Sequence, residues 1–144
     1  MGDDAVASYL AIFTESAKRA GLDMRPPGKN WAPMRDIVPG SHISLSVRRE
    51  AIQVNLNNER DEDRRRFETL FRDRAAIQSA IGESLSWEQK DGRKKTAVRA
   101  TLSRGYEDRN DWEEQHRWAI ETMKTFEREL GSRLRTSPEV EGTR

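Results

Sequence analysis

The sequence has no cysteine, only two histidines and no long apolar run, and 34% of its 144 residues are hydrophobic against 35% charged. Without cysteine there can be no disulfide framework, zinc–thiolate site or thiol nucleophile, and His42 and His116 alone cannot build a multi-histidine metal cage. No stretch approaches the roughly 18 to 20 apolar residues that span a bilayer, and the opening MGDDAVASYL is acidic where a signal peptide is basic. The expectation is a cytoplasmic chain with no membrane role. Strong net charge is also missing: 26 basic residues stand against 25 acidic ones, for a formal charge of +1. Bulk electrostatics therefore names no partner. What remains for chemistry is carboxylate, hydroxyl and guanidinium.

Hydrophobic periodicity organises the chain. Val6, Tyr9, Leu10, Phe13 and Ala17 recur at helical spacing behind Asp3 and Asp4, and Gly21 follows where a cap belongs. Residues 23–41 carry four prolines and two glycines, which predicts an ordered connector without regular structure, with Trp31 and Ile37 to bury. Ile43, Leu45 and Val47 alternate with polar residues, as do Ile52, Val54 and Leu56 after a charged turn, and this predicts a half-buried hairpin.

The period then changes. Phe67, Leu70, Phe71, Arg74, Ile77 and Ile81 share one helical stripe ended by Gly82. A second hairpin follows, with Leu85 and Trp87 on one arm, Val98, Ala100 and Leu102 on the other, and Asp91-Gly92 at the turn. Trp112, His116, Ala119, Ile120, Met123, Phe126 and Leu130 form the clearest amphipathic helix. The predicted order is helix–hairpin–helix–hairpin–helix: an α+β domain over residues 1–136, with a four-stranded antiparallel sheet covered by helices, and a disordered tail at 137–144.

YLAIF near the start, Trp31 after a proline–glycine segment, a helix running into IGESLSWE, a second hairpin, and DWEEQHRW opening the last helix together are distinctive. Over about Tyr9 to Phe126 this pattern resembles a bacterial domain of unknown function often found C-terminal to restriction-endonuclease-like domains. The resemblance implies an accessory domain standing alone, because nuclease chemistry would belong to a separate domain. Two positions depart from the pattern: Gln78 stands where an acid is expected, and the second arm reads KKTAVRATL rather than an arginine followed by isoleucine. They put in doubt any role carried by that acid.

The sharpest enzymatic pattern is Glu88-Gln89-Lys90, since Glu-x-Lys on a strand can hold a metal with one carboxylate and place a lysine beside the attacking water. That chemistry needs a second acid from a neighbouring strand, and Glu83 lies before the strand beside the helix-ending glycine. A solvent-facing charge pair is the ordinary reading, so no catalytic residue, metal or cofactor is assigned. The best binding feature is the segment from Lys90 to Arg104, with a local charge of +5. Lys90, Arg93, Lys94, Lys95 and Arg99 are its candidate nucleic-acid contacts, and Trp87 could stack if exposed.

Arg64, Arg65 and Arg66 follow four acids, so the segment from Glu59 to Arg74 sums to zero and reads as a solvated, self-paired helix start. Arg74, on the apolar stripe, would need an acid if buried. The last helix carries −4 between Glu107 and Glu129, a dipolar counterpart to the hairpin that favours self-association or an oppositely charged partner. His116 reads as a core histidine. Trp118, off its helix's stripe, is the candidate partner contact.

Two functions follow. One is a non-catalytic accessory domain contacting nucleic acid or a nuclease-like protein partner in bacterial defence or DNA metabolism. The alternative is a self-associating, homodimeric or chaperone-like interaction module; the element order is similar to that of secretion chaperones, although those are acidic and this chain is not.

Overall fold

The computed structural model describes residues 2–137. Helix α1 (Gly2–Arg19) is followed by strands β1 (Trp31–Pro33), β2 (Ser41–Val47) and β3 (Ile52–Asn58), helices α2 (Arg65–Phe71) and α3 (Arg74–Ile81), and strands β4 (Leu85–Gln89) and β5 (Thr96–Leu102). Helix α4 (Trp112–Phe126) continues through one π turn (Glu127–Gly131) into α5 (Ser132–Thr136). The strands form one antiparallel sheet in the order β1-β2-β3-β5-β4.

The α+β class and both hairpins are as the alternation predicts, but the sheet has five strands rather than four, and the element order gains a strand before the first hairpin. The extra strand comes from the proline-rich connector. Arg25 N–H donates to the Pro33 carbonyl and Gly28 N–H to that of Trp31, both at 2.9 Å, so the connector folds along its own strand. Pro33 is tolerated there because β1 lies at the sheet edge. A Cβ at Gly28 would lie 2.1 Å from the Trp31 indole nitrogen, so only glycine fits beneath that ring.

Register explains the core. Ile43, Leu56, Val98 and Trp87 stand opposite one another across the sheet, as do Leu45, Val54, Ala100 and Leu85. Residues directly opposite project to the same face. That face meets Tyr9, Leu10 and Phe13 of α1 and Met123 and Phe126 of α4 in one buried cluster. The stripe drawn through Phe67 to Ile81 is real but the helix is not continuous: it breaks at Arg72 and Asp73 between α2 and α3. Arg74, expected on the buried stripe, is exposed with its guanidinium 4.1 Å from the centre of the Phe71 ring. Of the predicted tail, Ser137 is buried and residues 138–144 lie outside the described residues.

His116 is a core residue, with ring centres 4.4 Å from Tyr9 and 5.6 Å from Phe13. Among the described residues its buried Nε2 has no hydrogen-bond partner, and burial pushes its pKa down to about 4. Tyr9 is tied to the same helix, its hydroxyl donating to Gln115 Oε1 at 2.7 Å, and burial raises its pKa above the ordinary phenol value.

Candidate nucleic-acid interface

The other face of the sheet is polar. Its central row runs Ser44, Asn55, Arg99 and Ser86, flanked by His42, Asn57, Ala97 and Glu88 on one side and by Trp31, Ser46, Gln53 and Thr101 on the other. The amides there are mutually engaged: Asn55 Nδ2 donates to Ser46 Oγ and Asn57 Nδ2 to Ser44 Oγ, both at 2.9 Å. Ala97 is the only small side chain in its row, between Asn57 and Glu88. The long neighbours rise around it and leave a cleft of about 270 Å³.

Four of the five candidate cations line this cleft: Lys90, Arg93, Lys95 and Arg99. Lys94 does not; its carbonyl instead accepts the Asp61 N–H at 2.6 Å. Arg99 is the most constrained of the four. Nε donates to Glu88 Oε1 at 2.9 Å and Nη1 to Asn55 Oδ1 at 2.6 Å, and its side chain is 28% exposed. Lys95 Nζ lies 3.1 Å from Glu59 Oε2. Lys90 and Arg93 form no ion pair among the described residues. Four cations against Glu59 and Glu88 make the lining net positive.

Glu88 is therefore occupied. Burial alone would raise its pKa, but hydrogen bonds from Arg99 and Ser86 outweigh this and hold the carboxyl below its ordinary value. Among the described residues, no group of three or more His, Asp or Glu side chains is placed to hold a metal ion.

The hairpin tip is fixed by a buried polar ring that looks, in the sequence, like surface charge. Asp61, 2% exposed, accepts the Arg66 N–H at 3.0 Å, the Phe67 N–H at 2.9 Å and the Thr96 hydroxyl at 2.7 Å. It does for α2 what an N-cap does, from outside the helix. Asn58 Nδ2 donates to Thr96 Oγ1, Ser41 Oγ donates to Asn58 Oδ1, and Arg66 Nη1 donates to Ser41 Oγ at 2.6 Å, which closes the ring. Arg66, expected in a solvated cluster, is 8% exposed, and Arg64 Nη2 reaches across to the Lys90 carbonyl at 2.6 Å. The tip is thus held by α2's start as well as by its own turn, where Gly92 takes φ +77°.

Trp87 is no stacking platform. Its ring packs against Phe67 and Phe71, with centres 6.3 and 5.5 Å away, on the core face. The tryptophan on the polar face is Trp31, 5.7 Å from His42. Trp118 is half-buried on α4 against the core. Residues not singled out from sequence, Asn57, Asn58, Glu59, Gln89, Thr96 and Ala97, also line the cleft. The signal that could have found part of this set is the parity of β3, where Gln53, Asn55 and Asn57 are all amides.

A family model for a domain of unknown function, DUF4268, matches residues 8–134. No curated protein matches the chain. Among solved structures, YbjN from E. coli is similar at a TM-score of 0.43 and 15% identity, over 83% of this chain and 90% of that one. Among the described residues, no helix is long and apolar enough to cross a membrane.

Proposed function

The chain belongs to the DUF4268 family, whose function is unknown, and from its own geometry we propose that it is a cytoplasmic, non-catalytic accessory domain that contacts nucleic acid through the cleft at the β4–β5 tip. In this reading it serves bacterial defence or DNA metabolism beside a restriction-endonuclease-like partner. The observation that supports it is convergence: Lys90, Arg93, Lys95 and Arg99 surround one hollow on an otherwise neutral polar face. A chain with a net charge of +1 binds a phosphate backbone only where its cations are gathered.

The test is fluorescence anisotropy with labelled duplex and single-stranded DNA. Three phosphate contacts would weaken binding roughly 40-fold between about 50 and 200 mM salt. Lys90→Glu/Arg93→Glu removes that binding, while Lys94→Glu, outside the cleft, has a smaller effect. Absence of binding at low salt overturns the reading.

A second reading, self-association with no nucleic-acid role, is supported by the open sheet edge at β4. Trp118→Ala tests whether α4 contributes a protein contact: co-sedimentation with a partner would weaken while the fold, read by circular dichroism, stays intact.

A further inference from the structure

The cleft over Ala97 differs from the track that a continuous phosphate backbone needs. Its cations converge on one hollow of about 270 Å³ instead of spreading in a line. Beyond Arg99 the same face runs into Ser44, Asn55, Ser46, Gln53 and Thr101, none of them charged, so a second phosphate in that direction meets no cation. Four cations against Glu59 and Glu88 leave an excess of two positive charges at the one position. A phosphodiester inside a strand carries a single negative charge. A phosphomonoester at a strand end carries about −1.5 to −2 and presents a third free oxygen, which matches that excess more closely.

The donors suit such a group. Arg99 has five N–H donors; Glu88 and Asn55 accept two of them, which fixes the guanidinium, and the other three have no partner among the described residues. The turn that carries Lys90 and Arg93 is held in advance, because the Lys90 carbonyl accepts from Arg64 Nη2 at 2.6 Å and from the Arg93 N–H at 3.0 Å. Neutral donors of the lining are spent inside the fold instead: Asn57 Nδ2 on Ser44, Asn58 Nδ2 on Thr96, and the Thr96 hydroxyl on Asp61. The wall therefore offers charge to phosphate oxygens and little that would read a base edge.

We propose that the cleft binds the terminal phosphomonoester of a nucleic-acid strand, without regard to base sequence. The proposal rests on the nucleic-acid reading and names the part of the strand that is recognised. Ala97 is its floor: the small side chain leaves the room that the phosphate occupies.

The test is fluorescence anisotropy of the whole chain at about 50 mM salt, with single strands of one sequence, labelled on an internal base, that carry a 5′-phosphate, a 3′-phosphate or hydroxyls at both ends. At least one phosphorylated strand should bind about tenfold tighter than the hydroxyl-ended strand. Thymidine monophosphate, phosphorylated at the same position, should displace it only at higher concentration, and thymidine not at all. Ala97→Leu fills the hollow without removing a charge and should abolish the preference for the phosphorylated end; thermal melting checks its fold, with Ala97→Val as the milder variant if it does not fold. Equal affinity for all three strands, or a folded Ala97 variant that keeps the full preference, overturns end binding and leaves the nucleic-acid reading standing. A mononucleotide that binds as tightly as the strand assigns the cleft to free nucleotides and overturns the strand-end proposal. No binding of any strand overturns both.

Discussion

The β2–β3 and β4–β5 hairpins share a topology but not a setting. β2 and β3 lie inside the sheet, and their turn is clamped from outside: Tyr106 N–H and Glu107 N–H donate to the Arg48 and Arg49 carbonyls at 3.1 Å. A Cβ on Gly105 would lie 2.3 Å from the Arg48 carbonyl oxygen, so the clamp admits only glycine. The β4–β5 hairpin has one arm on the edge and a longer tip held by polar contacts from Asp61 and Arg64. The difference is one of setting: the same motif is enclosed on both sides as a scaffold in one place and left with an open arm in the other, where the proposed contacts lie.

Four measurements put this contrast at risk. Leu45, fully buried in the first hairpin, should be the most costly position: Leu45→Ala should lose about 4 kcal/mol in urea unfolding. An effect under about 1 kcal/mol would show that the enclosed hairpin is not the scaffold.

The core beneath it carries a pH signature. His116 has a folded pKa of about 4 against an ordinary histidine value of 6.5, so between these values the unfolded chain binds more protons and stability falls as pH falls from 6.5 towards 4. The loss approaches about 3 kcal/mol at the low end. His116→Phe should flatten that part of the profile; an unchanged slope would place the titration elsewhere.

Asp61 joins the two hairpins through Asn58 and Thr96. Asp61→Asn keeps the shape but removes charge-assisted acceptance, and should cost about 2 kcal/mol. Amide exchange at Arg66, Phe67 and the hairpin tip should quicken together, and a change confined to α2 would separate the tip from the ring. The smallest effect belongs to Arg93, whose exposed side chain forms no ion pair among the described residues. Arg93→Gln should stay within about 0.5 kcal/mol of the parent in stability, with any loss appearing in DNA anisotropy alone.

The core positions of β2, β3 and β5 were legible because alternation records which side of a strand is buried, and the helical stripes of α1 and α4 were legible for the same reason at a period near 3.6. β1 was hidden because three residues that end on a proline carry no period; only the neighbouring β2 and the connector's own hydrogen bonds make Trp31–Pro33 a strand. The break between α2 and α3 was hidden because the stripe from Phe71 to Ile77 passes through it without losing phase. Arg66 and Asp61 read as surface charge because a charge run looks the same whether water or a buried ring satisfies it. The basic segment was visible as a count, yet its split between Arg93 in the cleft and Lys94 outside it depends on where the chain turns.

Local periodicity was enough to dictate the α+β class, the two hairpins and the faces their strands bury, since all three follow from the need to remove apolar side chains from water. The fifth strand, the polar ring under the tip and the cleft over Ala97 came only with the assembled fold, because each arises from register between segments far apart in the chain, and register exists only once the sheet has formed.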